Sequence, residues 1–221
     1  MTKIAILLSG CGVYDGSEIH ESVLTMLELE RWGIKYQCFA PDIMQMHVVD
    51  HLTGEVDDNA ERRVLAESAR IARGNILACD KLNIDEFDAL VIPGGFGAAK
   101  NLCDFAINGA KHEIAPQVKD FICHFSENRK PIGFMCISPV MIPKIFGENA
   151  IGTIGADVET ATAFNQMGGQ HQKAAVDEVV VDEVNNIAST PAYMLAENIS
   201  QVHSSIAALI KQVAKMCGET T

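Results

Sequence analysis

The chain has 221 residues, with 17 Lys and Arg against 29 Asp and Glu, a formal net charge of −12. That field repels phosphate backbones and anionic lipids, and no local basic patch interrupts it, so neither nucleic-acid nor membrane-surface binding is expected. Hydrophobic residues at 48 % and charged residues at 21 % exclude a disordered chain. The length suits a single domain, 1–221, and no apolar run approaches the roughly 20 residues of a membrane span.

Lys3–Ser9 is a near-continuous apolar run, the pattern of a parallel strand covered on both faces. It is too short for a signal-peptide core with its cleavage site, so a cytoplasmic location is the expectation. The turn Gly10-Cys11-Gly12 follows. Ser17 then reads as an N-cap, with Glu18 and Glu21 in the first turn, where carboxylates suit the helix dipole. Val23, Leu24, Leu27 and Leu29 predict that helix's apolar stripe, and Gly33 its end. Lys35–Ala40 is a second strand, stopped by Pro41-Asp42. Met46–Glu55 reads as a hairpin or an extended loop, 60–73 as a polar helix and Ile76–Cys79 as a short strand.

Ala89–Ile92 is a buried strand running into Pro93-Gly94-Gly95, Ile114–Phe125 a helix, and Pro131–Met135 another buried strand. Ser138–Phe146 is predicted as a helix interrupted by Pro139 and Pro143. Beyond it come a helix near Val158–Met167, two strands around Asn185-Asn186, and a last helix from about Tyr193 to Met216. This alternation predicts a mostly parallel, doubly wound α/β sheet, whose function collects beyond the carboxyl ends of its strands. Four loops lie there: Gly10–Ser17, Pro93–Lys100, Met135–Pro139 and Thr190–Tyr193.

The seven cysteines are odd in number and irregular in spacing, and none forms C-x-x-C. A disulfide framework or structural zinc site is not expected, and most should be small buried hydrophobes. Cys136 stands apart. In Gly133-Phe134-Met135-Cys136-Ile137-Ser138-Pro139 an apolar strand ends in a nucleophilic side chain and a helix begins at once. Such a turn exposes the side chain, and a helix N-terminus favours thiolate; the alternative is a buried structural thiol. The glycines of Ile92-Pro93-Gly94-Gly95-Phe96-Gly97 either aim backbone N–H groups at an anion or serve a tight turn needing positive φ. A carboxylate in Gly16-Ser17-Glu18-Ile19-His20-Glu21 either acts as a general base over the same sheet edge or pairs with the helix dipole.

Other readings are weaker. Gly10-x-Gly12-x-x-x-Gly16, with Asp42 closing the second strand, is one residue longer than a dinucleotide fingerprint and sets Asp15 where pyrophosphate would lie. His47-x-x-x-His51 has metal spacing if helical, but Val48-Val49 and Thr53-Gly54 argue for extended chain. Ser9 and Ser138 lack the G-x-S-x-G context of a hydrolase nucleophile.

Taken together, Gly16-Ser17-Glu18-x-x-Glu21, Pro93-Gly94-Gly95 and the elbow Cys136 resemble the PfpI-like, parkinsonism-associated deglycase superfamily. Within it, Leu8–Glu21, His51–Glu55, Val91–Leu102, Gly133–Pro139 and Thr190–Ala196 resemble the enhancing-lycopene-biosynthesis (ElbB, sigma cross-reacting protein) group over nearly the whole chain. The resemblance implies a flavodoxin-like, class I glutamine-amidotransferase-like fold. It implies that Cys136 pairs with a glutamate of the first helix, which falls on Glu21, with Glu18 the alternative. Gly94, Gly95 and the N–H of Ile137 would form the oxyanion pocket. Ile137 stands where relatives with peptidase or amidotransferase behaviour carry His, so hydrolysis of peptides or glutamine is not expected. His171, after Gly168-Gly169-Gln170, is the candidate third catalytic residue. Residues 43–80 exceed the simplest relatives and are expected to form a lid or an interface.

The activity so implied is a glyoxalase of the III type, converting methylglyoxal or glyoxal to a 2-hydroxy acid through a hemithioacetal on Cys136, without metal, glutathione or nucleotide. Deglycation of glyoxal adducts shares its first steps. A redox sensor or regulatory protein linked to isoprenoid output, with Cys136 oxidised rather than turned over, is the alternative outside enzymes. A homodimer is expected.

Overall fold

Runs of β-branched and aliphatic residues bounded by Gly, Pro and Asp build the central layer, because strands buried on both faces need apolar side chains at every position. The computed structural model describes residues 2–220. In chain order it holds β1 (Lys3–Leu7), α1 (Ile19–Arg31), β2 (Lys35–Ala40), α2 (Val64–Ile71), β3 (Ile76–Ala78), β4 (Ala89–Ile92), α3 (Phe105–Asn108) and α4 (Pro116–Glu127). Then come β5 (Ile132–Met135), α5 (Ile142–Phe146), β6 (Ile151–Gly152), α6 (Val158–Gln166), β7 (Gln170–His171), β8 (Val180–Asp182), β9 (Ile187–Thr190) and α7 (Ile199–Met216). Seven strands form one sheet in the order β3-β2-β1-β4-β5-β9-β8. Every pairing in it is parallel except β8 with β9. β6 and β7 pair separately. This is the α/β doubly wound fold expected of the sequence.

Alternation along β1 divides the core. Ala5 and Leu7 pack with Phe39, Phe121, Phe125 and Phe134 on one face. Ile4 and Ile6 pack with Leu29, Leu209, Ile210 and Val213 under α1 and α7 on the other. Strand order reverses between β1 and β4, so the crevice beyond their carboxyl ends is the natural site in such a sheet.

The structure corrects several local expectations. Glu18, not Ser17, caps α1, accepting the Glu21 N–H at 2.7 Å, because Ser17 Oγ is already bonded to the Ser9 N–H at 2.8 Å. The buried face of α1 is Glu21, Ser22, Thr25, Glu28 and Leu29, while Val23 and Leu27 are exposed. Gly33 ends the helix at φ +67°, where its lack of Cβ removes the steric cost. The polar helix begins at Val64 rather than residue 60. The last helix begins at Ile199, capped by Asn198, because residues 192–194 form a separate 3₁₀ turn. Within 43–80, α2 packs beside the main sheet and β3 forms its edge strand. The irregular part before them is a hairpin-like excursion bridged at Met44–Arg63 and Val49–Val56.

Candidate active site

β5 delivers its last residue, Met135, fully buried; the next is forced into the left-handed region, Cys136 at φ +59°. A non-glycine residue stays there only when its surroundings over-determine it. They do: the Cys136 N–H donates to Thr190 O at 3.1 Å, and Ser138 Oγ accepts the Met135 N–H at 3.1 Å and lies 2.9 Å from Ile92 O. The bend turns the thiol off the sheet into the crevice and uses up the Ser138 hydroxyl.

Glu21 comes from the buried face of α1 and has no exposed surface. Its Oε2 accepts the Gly94 N–H at 2.8 Å and its Oε1 the Tyr193 N–H at 3.2 Å. The same carboxyl neighbours the Cys136 thiol, and each group shifts the other's titration. Burial, seconded by the charge of Glu18, raises Glu21 to about 7. The Cys136 thiol is pushed well up, first by burial and then by the Glu21 charge, while the N–H groups of Gly95 and Ile137 pull it down. The expectation of a thiolate stabilised by a helix N-terminus is therefore corrected. The chain after Cys136 opens with a short 3₁₀ turn, Ser138–Met141, and the thiol's charged neighbour is an acid.

The glycines explain themselves by contact. A Cβ on Gly94 would fall 2.4 Å from Cys136 Cβ and 2.8 Å from Glu21 Oε2. One on Gly95, at φ +88°, would fall 2.4 Å from the Glu18 N. The two loops are sewn together through backbone: Glu18 N–H to Gly94 O at 3.0 Å, Phe96 N–H to Val13 O at 2.7 Å and Gly97 N–H to Gly16 O at 2.9 Å. Asn101, buried, donates to Ser9 O and Asp15 O, both at 2.8 Å, and locks the same loop.

Of the expected site residues, Cys136, Glu21, Glu18, Gly94, Gly95 and Ile137 come together. Glu21 touches the thiol; Glu18 caps the helix beside it and reaches the cavity. Gly94 is corrected in role, because its N–H is held by Glu21, leaving Gly95 and Ile137 as the donors aimed at sulfur. His171 is corrected outright. It sits on β7 with its N–H bonded to Asn165 Oδ1 at 2.8 Å, its Nε2 accepting the Ile154 N–H at 3.3 Å and its ring edge-on to Phe164. It does not line the cavity over Cys136. The dinucleotide loop is filled by its own chain: buried Asp15 accepts the Val49 N–H at 2.8 Å, and a Gly16 Cβ would meet Cys11 N at 2.2 Å. His47 and His51 are not on a helix.

A cavity of about 440 Å³ opens over Cys136. Val13, Phe96, Ala99, Phe105 and Met194 supply apolar wall, and Glu18, Asp157, Thr160 and Tyr193 polar wall. The Tyr193 hydroxyl is bonded to His20 Nδ1 at 2.6 Å. Phe96, Phe105 and Tyr193 carried no signal in sequence spacing beyond lying on or next to loops at the sheet's carboxyl edge.

A doubly wound sheet with a strained cysteine after β5 and a buried glutamate from α1 defines a class I glutamine-amidotransferase-like protein of the DJ-1/ThiJ/PfpI fold. No protein-family model matches the chain. It is 41 % identical over 226 residues to the rat (Rattus norvegicus) ES1 protein homolog, mitochondrial, covering 98 % of this chain and 85 % of that protein. It is 40 % identical to the human (Homo sapiens) glutamine amidotransferase-like class 1 domain-containing protein 3, mitochondrial, over 98 % of this chain and 84 % of that protein. The chain belongs to this family of ES1 and glutamine amidotransferase-like class 1 domain-containing proteins.

Among solved structures, one from Ehrlichia chaffeensis, described as an isoprenoid biosynthesis protein with an amidotransferase-like domain, superposes with TM-score 0.91 at 38 % identity, over 98 % of this chain and 99 % of that one. A DJ-1 superfamily protein from Agrobacterium tumefaciens, at 16 % identity and TM-score 0.60 over 100 % of this chain and 92 % of that one, shares the fold. The cytoplasmic expectation is overturned, since the rat, human and zebrafish (Danio rerio) relatives are all named mitochondrial. It rested on Lys3–Ser9, which β1 accounts for; an address is carried by segments outside a folded domain.

Proposed function

We propose that the protein is a cofactor-independent glyoxalase acting on methylglyoxal or glyoxal, within the enhancing-lycopene-biosynthesis group. The isoprenoid description of the Ehrlichia structure supports that grouping. One observation carries the activity: the Cys136 thiol and the buried Glu21 carboxyl, raised to about 7, meet over Gly94, where an added Cβ would fall 2.8 Å from both Sγ and Oε2, with the N–H groups of Gly95 and Ile137 beside the sulfur. A thiol pushed up by burial is not a standing thiolate; it needs a base at the moment of attack, and a carboxylate near 7 is matched to that task at neutral pH.

Cys136 Sγ bonds to the aldehyde carbon, its proton passes to Glu21, and the carbonyl pair moves to oxygen, where the Gly95 and Ile137 N–H groups receive it. One such donor is worth about 3 kcal/mol. Glu21 passes that proton to the oxyanion, which gives the hemithioacetal and restores the carboxylate. Glu21 then removes the proton on the former aldehyde carbon and returns it to the neighbouring carbon through an enediol, leaving a thioester of the 2-hydroxy acid. Water cleaves the thioester, releasing lactate or glycolate and the thiol. No oxidant, metal or second thiol enters this balance.

Loss of methylglyoxal by purified protein, without glutathione or metal, tests it: Cys136→Ala should abolish turnover. Equal turnover in the variant overturns the proposal. Homodimer formation is proposed with it and is read from light scattering at assay concentration; a monomeric mass rejects it. The sensor reading is disfavoured, since redox cysteines are exposed and low in pKa, whereas Cys136 is 7 % exposed and pushed up.

A further inference from the structure

The cavity over Cys136 is larger than methylglyoxal needs. At about 440 Å³ it lies in the range that holds drug-sized ligands. Much of its wall is aromatic and aliphatic. Phe96 keeps 48 % of its surface exposed, and its backbone is fixed by the bond from its N–H to Val13 O at 2.7 Å. Phe105 is braced edge-on by the His112 ring at 5.4 Å, and His112 Nδ1 is itself bonded to Gly109 O at 3.1 Å. These rings are preset, not gathered by a ligand.

The charges at the wall have one sign. Glu18 and Asp157 present carboxylates, and Asp157 is held below its ordinary value by the Thr160 hydroxyl and N–H. Among the described residues no Lys or Arg lines the cavity. Lys100 is outside the lining, its amine 5.4 Å from the Phe96 ring centroid and donating to Tyr14 O at 2.9 Å. An anionic substrate would therefore meet two carboxylates with no ion pair to offset them.

We propose that the substrate is a 2-oxoaldehyde whose second substituent is apolar and uncharged, such as an aryl or branched alkyl group, and that carboxylate- or phosphate-bearing aldehydes are rejected. This rests on Cys136 as the carbonyl nucleophile proposed above. The substituent packs against Phe96 and Phe105, while the aldehyde carbon reaches Sγ.

The experiment follows Cys136 alkylation on the intact protein by mass spectrometry, with N-benzyl iodoacetamide, iodoacetamide and iodoacetate. Each rate is divided by that reagent's rate with free cysteine. The benzyl reagent should exceed iodoacetamide by about tenfold or more, the worth of one well-filled apolar contact, and iodoacetate should trail by a similar factor. Phe96→Ser should erase most of the benzyl advantage; because Phe96 is half exposed, that variant should keep the native thermal midpoint to within a few degrees. Phe105→Ala should do the same from the other wall, and Glu18→Gln should raise the iodoacetate rate.

Equal normalised rates for the three reagents, or a benzyl advantage that survives both aromatic substitutions, overturns the inference. Turnover of phenylglyoxal and methylglyoxal is measured alongside, and kcat/KM should favour phenylglyoxal. If the benzyl preference holds while neither aldehyde turns over, the pocket assignment stands and the glyoxalase reading falls. If methylglyoxal turns over without any benzyl preference, the reverse is true.

Discussion

Glu21 is a carboxyl with no exposed surface and a second carboxylate, Glu18, one helical turn away. Its value of about 7 in the fold, against an ordinary 4.5, has a consequence for stability. Between those values the folded chain keeps a proton that the unfolded chain has released. Stability therefore falls as pH rises through that window and levels off above it, by about 3 kcal/mol in all. Denaturant midpoints of the native chain and Glu21→Gln, taken at pH 5 and pH 8, should differ by a gap that shifts by about that amount in favour of the variant at pH 8. A constant gap would mean the carboxyl is not raised. The same ionisation governs chemistry. The competent pair holds one proton, so kcat/KM for aldehyde loss should fall about tenfold per unit as pH drops below 7. A rate flat from pH 5 to pH 8 contradicts Glu21 as the base.

At the scale of elements, α1 departs furthest from what hydrophobic periodicity predicts. Hydrophobic periodicity assigns the core face to Val23, Leu24, Leu27 and Leu29, on the premise that apolar residues face inward. Here the inward face carries Glu21, Ser22, Thr25 and Glu28, because it serves the site and the contact with α7, where Glu28 meets His203 at 2.7 Å. Leu29→Ala should cost about 2–5 kcal/mol, whereas Val23→Gln and Leu27→Gln should each stay within about 0.5 kcal/mol. Thermal unfolding of the three variants decides the helix's orientation; a large loss at Val23 reverses it. The main strands were legible because Gly, Pro and Asp bound their apolar runs. β6, β7 and α3 were not, being too short to show any period. α7 starts later than its apolar pattern predicts because Tyr193 and its neighbours are spent on a turn that feeds an N–H to Glu21.

Over the whole molecule, the topology makes one site of residues scattered along the chain: β1, β4, β5 and β9 end side by side, and each contributes its following loop. Cys136 was legible from its place directly after a buried strand, whereas the choice of Glu21 over Glu18 and the role of the Gly-Gly pair came only with the family resemblance, since a first-turn carboxylate and a glycine turn each have an ordinary structural use. The cavity walls were not legible, since any large side chain at those places would look alike in sequence. His171 misled for the opposite reason, a plausible residue type carried to the wrong strand. Away from the site, the excursion before α2 ends in a tip where Leu52 is 93 % exposed. Limited proteolysis should cut first between Leu52 and Gly54 and leave both pieces associated with the thiol still reactive, as expected of exposed loop tips. A first cut within 93–103 would contradict this.

The backbone seam between the glycine loop after β4 and the loop before α1 has a further meaning. The donors, the base and the thiol are ordered when the chain folds, so no loop has to come to rest at each encounter with substrate. Nothing in that seam can loosen by itself without parting main-chain hydrogen bonds that also start α1. Heating should therefore dismantle the reactive centre and the sheet in one transition rather than two, with thiol reactivity holding its native course until the protein melts.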